Sequence, residues 1–396
     1  MDKLSLEDLD VHGLRVLVRV DFNVPLNDGE VGDDTRIRAA LPTIRAITSG
    51  GGKAILMSHL GRPKGEPDPA LTLAPVAERL QELLDERVLF VSNTVGPAVE
   101  RAVAELPDRG VLLLENTRFQ PGETKNDPDF AGRLAMLGDL YVNDAFGAAH
   151  RAHASTEGVT RHAARSAMGL LMKKELDHLS RLIEAPEHPY VAVLGGAKVS
   201  DKIGVIENLL GRVDALLIGG AMSYTFLEAL GNDVGDSRVE EDKVDVAADL
   251  FDRARGKINL PVDHVAADAF DNDAPHRAVD QDIPAGLMGL DIGPKTVEAY
   301  RSSILSARTV VWNGPMGVFE MSSYARGTFA VAEAMAEATD AGAFTVVGGG
   351  DSVAAITEAG YEDRVAHVST GGGAMLEFLE GKTLPGVRAL SARDAS

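Results

Sequence analysis

Apolar residues in this chain gather into short unbroken runs, separated by stretches in which they recur every third or fourth position. The runs 15–20, 54–58, 111–114 and 140–143 are near-continuously apolar rather than alternating, as expected of parallel strands covered on both faces. Between them, 36–49 places Ile37, Leu41, Ile44 and Ile47 on one helical face, and 73–84 does the same with Val76, Ala77, Leu80 and Leu84. Strand, polar turn and helix in succession predict an α/β fold with a parallel sheet. A further helix is predicted over 168–185, with Leu170, Leu171, Leu176, Leu179 and Leu182 as its apolar face and Pro186 and Pro189 beyond its end. A second α/β series then begins at Tyr190, with strands over 190–194, 215–218, 257–260, 309–312 and 344–347. The proline-bearing stretches 62–69 and 275–284 read as loops. A chain of 396 residues is long for one core, so two domains divided near 170–190 are expected.

In parallel sheets of this kind ligands bind beyond the carboxyl ends of the strands. The polar turns that fall there in the first half carry Asp21 and Asn23, His59 and Arg62, Arg118, and Arg151, with Arg36 at the start of the first helix. The chain as a whole is acidic, 60 Asp and Glu against 39 Lys and Arg, for a net charge of -21. That balance argues against a nonspecific grip on nucleic acid or an anionic membrane, and it makes cations gathered at loops conspicuous. With no cysteine, disulfides, thiolate chemistry and Cys-ligated metal centres are excluded. The first residues lack a basic, apolar secretion signal and the apolar runs are too short to span a bilayer, so a soluble cytoplasmic protein is expected.

Glycines concentrate in the second half. Gly195-Gly196-Ala197-Lys198 leads to Lys202, and a helix beginning within this stretch would turn both ammonium groups toward one ligand. The run 310–312 opens into Asn313-Gly314-Pro315, with Glu320 following. Trp312 suits a core, whereas Asn313 and Glu320 suit a ligand. Gly348-Gly349-Gly350-Asp351-Ser352 has the strand, glycine, helix form of an anion site. Asp351 beside a phosphate suits Mg²⁺, and as an alternative it caps the helix. Thr370-Gly371-Gly372-Gly373 precedes another short helix. Neither a G-x-x-x-x-G-K-[ST] loop nor a complete G-x-G-x-x-G is present, so these loops indicate phosphate without choosing between ATP and NAD. The residues together predict a small anion held by one half and a phosphorylated ligand held by the other.

The ordered set of motifs resembles the phosphoglycerate kinase family over almost the whole chain. It comprises Arg19-Val20-Asp21-Phe22-Asn23-Val24-Pro25, Ser58-His59-Leu60-Gly61-Arg62-Pro63, Leu114-Glu115-Asn116-Thr117-Arg118-Phe119, Asn143-Asp144-Ala145-Phe146-Gly147 and His150-Arg151-Ala152-His153. The second half adds the segments 195–202, 312–320, 348–352 and 369–374. The resemblance implies two Rossmann-like domains with parallel-sheet cores: 1–170, completed by the tail 386–396, and 189–385, joined by a hinge helix over 171–188. It implies a usually monomeric enzyme without an obligate protein partner, transferring phosphoryl between 1,3-bisphosphoglycerate and ADP, with Mg²⁺ as cofactor. By the same resemblance Asp21, Asn23, Arg36, His59, Arg62, Arg118 and Arg151 bind 3-phosphoglycerate or 1,3-bisphosphoglycerate. Lys202, Gly220, Ala221, Gly289, Asn313, Glu320, Gly349, Gly350, Asp351 and Ser352 bind ADP or ATP, and Asp351 also holds the metal. Arg36, Lys198, Gly372 and Gly373 approach the phosphoryl in transit, and His150 and His153 support Arg151 or the local structure. Two other readings differ in class: a Rossmann-type dehydrogenase, whose glycine pattern 195–198 departs from, and a noncatalytic metabolite-binding protein, which would not need Lys198, Lys202 and Asp351 together.

Overall fold

The apolar runs fold as the central strands of two separate parallel sheets. The computed structural model describes residues 2–393, and the last three residues of the expected tail segment lie outside them. One unit comprises the chain up to Asp177 together with the chain from Thr383 onward; the other is His178–Lys382.

In the first unit, β1 (Arg15–Arg19), β2 (Lys53–Met57), β3 (Val88–Val91), β4 (Val111–Leu114), β5 (Leu140–Asn143) and β6 (Ser166–Met168) form one sheet in the order β3-β4-β2-β1-β5-β6. All neighbours are parallel, with Val18 of β1 between Leu56 and Val142. Val16, Val18, Leu56, Leu113 and Val142 are buried with Ile37, Ile44 and Ile47 of helix α1 (Thr35–Ser49), so the 3.6-residue periodicity read from the sequence is the face that covers the sheet. β3, not among the expected strands, is a four-residue edge strand that is only half covered. The chain after Thr383 returns to this unit. Leu4 N–H donates to Ser391 O at 3.0 Å, Ser391 N–H to Ser166 O at 2.9 Å, and Gly386 N–H to Ala149 O at 2.8 Å.

Met168, expected as the first helical residue, is instead the last residue of β6. Helix α2 (Leu170–Glu184) starts two residues later, where the Asp144 carboxylate accepts from Leu171 N–H at 2.9 Å and Met172 N–H at 3.2 Å. A carboxylate at that place satisfies free first-turn N–H groups and complements the helix dipole. The division between the units falls within α2.

In the second unit, β7 (Tyr190–Leu194), β8 (Ala215–Ile218) and β9 (Ile258–Asn259) precede three antiparallel strands, β10 (Asp263–Ala267), β11 (His276–Asp280) and β12 (Met288–Ile292). β13 (Thr309–Asn313), β14 (Phe344–Gly348) and β15 (His367–Val368) follow. The parallel sheet runs β9-β8-β7-β13-β14-β15 and the antiparallel one β11-β10-β12. Its core gathers Val193, Trp312, Val347, Ala332 and Met335. Trp312 is fully buried and donates its indole N–H to Gly314 O at 2.8 Å, which settles it as core. The stretch 275–284, expected as loop, contains β11. This edge strand is largely exposed and carries His276, Arg277 and Asp280, so it offers no apolar run to read. Among the described residues no helix is long and apolar enough to cross a membrane.

Candidate functional site

Strand order reverses beside β1 in the first sheet and beside β7 in the second, and the candidate residues follow the carboxyl ends of the strands around those points. In the first unit Asp21 and Asn23 follow β1, His59 and Arg62 follow β2, Arg118 follows β4 and Arg151 follows β5. Arg36 lies in the first turn of α1 and donates to Asp21 Oδ2 at 2.9 Å. Asn23 Oδ1 accepts the Gly61 N–H at 2.8 Å, and the Gly61 carbonyl accepts from Arg118 Nη1 at 2.6 Å, so three turns hold each other in register. Arg151 donates from Nε to His150 Nε2 at 3.1 Å. Its loop rests on the returning tail, through Asn143 Nδ2 to Gly386 O at 3.2 Å as well as the Gly386–Ala149 bond. Arg62 is exposed beside Gly61, and among the described residues no bond ties it to the cluster.

The cluster is built around a residue not singled out from the sequence. Arg19, the last residue of β1, is fully buried. It donates from Nε to Ser155 Oγ at 2.7 Å and from Nη2 to His59 Nδ1 at 3.0 Å. Ser155 Oγ in turn donates to the fully buried carboxylate of Glu123 at 2.5 Å. A charged residue closing an apolar strand was the available signal for Arg19, while Ser155 and Glu123 gave none. Burial, then the charges of Arg19, Arg118, Arg151 and Arg36, push His59 well below its usual value. Burial, then Arg151 and Arg19, bring Arg118 down to about 10, and its buried Nε has no hydrogen-bond partner among the described residues. His153, 3.9 Å from Glu123, falls to about 4 through burial and then Arg118, Arg19 and Arg151. Mutual repulsion of this kind is relieved by a bound anion.

The second unit builds its candidate site from backbone. The loops after β7, β8 and β13 interlock: Gly196 N–H donates to Pro315 O at 3.0 Å, Gly220 N–H to Met316 O at 2.9 Å, and Met222 N–H to Gly196 O at 3.0 Å. Gly220 has φ +67°, and a Cβ there would lie 2.6 Å from Gly196 N, so no side chain fits. Above these loops is a cavity of about 420 Å³ that includes Gly220, Ala221, Gly289, Glu320 and Asp351 in its lining. Its apolar wall of Tyr224, Phe270, Met288, Leu290 and Val318 escaped sequence reading, as did Asp236 and Arg238 at its edge. Phe270, 62% exposed among aspartates, was the one legible sign.

Helix α3 (Ile203–Leu210) begins only after Lys202, so the two lysines do not share a helical turn: Lys198 is exposed in the loop, whereas Lys202 is buried and donates to Asn313 Oδ1. Burial brings Lys202 down to about 8, against the opposing charges of Asp201, Asp351 and Glu380. Asn313 is itself buried, and its Nδ2 has no hydrogen-bond partner among the described residues. Gly349, with φ +93°, precedes helix α4 (Gly350–Glu358), and a Cβ there would meet Asn313 Nδ2 at 2.9 Å. Asp351 lies exposed in the first turn of α4, which has no side-chain cap bond, so capping does not explain it. Ser352 instead turns inward and accepts the Gly314 N–H at 2.5 Å. Gly372 and Gly373 open helix α5 (Gly373–Leu379) after β15, outside the lining of the cavity.

A family model described as phosphoglycerate kinase matches residues 6–382. The phosphoglycerate kinase of Salinibacter ruber is 62% identical over 396 residues, covering 99% of this chain and all of the relative. That of Rubrobacter xylanophilus is 58% identical over 395 residues, covering both chains completely. The solved structure of phosphoglycerate kinase from Coxiella burnetii superposes with a TM-score of 0.89 at 40% identity, over 98% of each chain.

Proposed function

Since this chain belongs to the phosphoglycerate kinase family, we propose that its first unit binds 3-phosphoglycerate or 1,3-bisphosphoglycerate and its second binds ADP or ATP. The reaction is reversible phosphoryl transfer between 1,3-bisphosphoglycerate and ADP, giving 3-phosphoglycerate and ATP, in glycolysis and gluconeogenesis. The observation that carries the division of labour is the contrast between a guanidinium cluster after β1, β4 and β5 and a glycine-floored, apolar-walled cavity in the other unit.

In this reading Asp21 and Asn23 orient the glycerate, and Arg36, Arg62, Arg118 and Arg151 neutralise its carboxylate and phosphate, with His59 among them. Gly220, Ala221 and Gly289 surround the adenine, Glu320 holds the ribose, and Lys202 with the backbone N–H groups of Gly349, Gly350 and Ser352 faces the nucleotide phosphates. Asn313 fixes Lys202. The attacking ADP oxygen needs no protein nucleophile, so catalysis rests on alignment and charge. Arg36, Lys198 and the N–H groups of Gly372 and Gly373 stabilise the phosphoryl in transit. Asp351 is an exposed carboxylate in a cavity lining that also holds Asp236 and Glu320, and no cluster of three or more acidic or histidine groups that could hold a metal occurs among the described residues. That suits Mg²⁺, which takes one or two protein carboxylates and completes its shell with phosphates and water. When bound it neutralises phosphate charge. The connector is α2, between a glycerate-binding domain that includes the tail and a nucleotide-binding domain. Soluble substrates on both sides of the reaction support residence in the cytoplasm.

Calorimetry of each ligand alone tests the division. Arg118→Met should abolish the heat of 3-phosphoglycerate binding and leave that of ADP; Glu320→Gln should do the reverse, and NAD should give none with either. Loss of ADP binding in the Arg118 variant would overturn the assignment.

A further inference from the structure

His59 is counted with the arginines as part of a basic patch, but the bond it makes fixes a different chemistry. A guanidinium has only donors, so at the 3.0 Å contact between Arg19 Nη2 and His59 Nδ1 the imidazole nitrogen must be the acceptor. Nδ1 therefore carries no proton, and the proton of the neutral ring is on Nε2. Among the described residues Nε2 has no hydrogen-bond partner. We propose that Arg19 locks His59 as a neutral imidazole protonated on Nε2, which presents the anionic substrate with a directed N–H donor rather than a cation. Arg19 is thus a positioning residue that acts through His59.

The lock is itself held. Arg19 is fully buried, and its Nε donates to Ser155 Oγ, which Glu123 holds by accepting both its hydroxyl and the Ser155 N–H. Arg19 Nη1 donates to Val20 O, so the guanidinium cannot rotate away without leaving buried donors unpaired. The charged groups facing the ring are Arg19 from β1, Arg36 from α1, Arg118 from the turn after β4 and Arg151 from the loop after β5. Asp21 Oδ1 is 4.0 Å from Nδ1, too far to compete as a hydrogen-bond acceptor for a proton there. Four cations and a buried ring make a second proton unfavourable. A neutral donor also has a use: it adds a directional bond to the cluster without adding to a charge that already disfavours Arg118. The substrate half of this inference rests on the first unit being the glycerate site.

Nitrogen-15 NMR of histidine-labelled full-length protein reads the tautomer directly, with the His59 signals assigned by their loss in His59→Gln. The expected spectrum has an unprotonated Nδ1 and a protonated Nε2, unchanged from pH 8 down to pH 5.5. A protonated Nδ1, or a midpoint near 6.5, would overturn the lock. Addition of 3-phosphoglycerate should then shift the Nε2 proton. If the tautomer is as stated but the ligand leaves Nε2 unmoved, the lock stands and the placement of the substrate fails. Arg19→Leu sharpens the result where it folds. Burial, Arg118, Arg151 and Arg36 still oppose the charged ring, but nothing then donates to Nδ1. The Nδ1-protonated tautomer should therefore become populated, and KM for 3-phosphoglycerate should rise more than kcat falls. A raised KM with the His59 tautomer unchanged from the parent would mean that Arg19 acts only structurally.

Discussion

The two units solve the same electrostatic problem with different parts of the chain. The first concentrates side chains: Arg19, Arg36, Arg118 and Arg151 converge on one place in a protein of net charge -21. The second concentrates backbone: loops interlocked through Gly196, Gly220 and Pro315 form a floor that side chains would obstruct. A small, highly charged ligand offers little apolar surface, so rigid guanidinium forks carry its recognition. In the proposed assignment a nucleotide offers the second unit a flat ring and a chain of phosphates, so an apolar wall and the first-turn amides of α4 with a lysine suffice. Charge in the first unit is accordingly overcommitted, as the depressed Arg118 records, whereas among the described residues of the second Lys202 is the buried cation near the loops.

Removing a side chain should therefore hurt the first unit most. Arg36→Ala is expected to lower turnover roughly a hundredfold or more while leaving ADP affinity within about twofold. Steady-state kinetics beside ADP calorimetry will read this, and near-normal turnover in the folded variant would remove Arg36 from catalysis. In the second unit Asp351 is an exposed side chain beside a site built mainly from backbone. Asp351→Asn should raise the Mg-ADP dissociation constant about tenfold to thirtyfold, with 3-phosphoglycerate binding unchanged. If the effect is the same with and without Mg²⁺, the metal role is wrong.

The backbone side of the contrast is broken at Gly220. Gly220→Ala combines a left-handed φ with a Cβ 2.6 Å from Gly196 N, and should destabilise the second unit by on the order of 2 kcal/mol. Denaturant unfolding followed at Trp312, in the core of that unit, will measure it. A variant as stable as the parent would mean that the loops yield freely.

The smallest effect expected is that of pH. Lys202 is held at about 8 in the free protein, below the ordinary lysine value, so it is charged at pH 7 and mostly neutral at pH 9. If only the charged form grips phosphate, KM for ADP should rise about tenfold across that interval, and ADP binding near pH 8 should take up a proton. The same depression means that between about pH 8 and 10.5 the unfolded chain binds the extra proton, so this group's contribution favours folding more as pH rises there. Calorimetry in buffers of different ionisation enthalpy separates proton uptake from binding. KM for 3-phosphoglycerate should not follow the Lys202 curve.

Local chemistry was legible in the sequence wherever it is contiguous. Unbroken apolar runs marked β1, β4, β5 and β7 because both faces of a parallel strand are covered, and the 3.6-residue spacing of α1 marked its buried face. Glycine and arginine turns at the ends of those runs marked both candidate sites. The sequence could not display what depends on residues distant in the chain. β11 is an exposed edge strand without an apolar pattern, and Lys198 and Lys202 are separated by where the turn before α3 ends. The return of the tail to brace Ala149, expected through the family resemblance and not from any pattern in the chain, and the Glu123–Ser155–Arg19–His59 chain join segments with no mutual signal along the sequence. Sequence determined which residues carry charge and which turns are free of side chains. Tertiary structure decided which of those charges are buried against one another, and burial is what converts a list of cations into an electrostatic site.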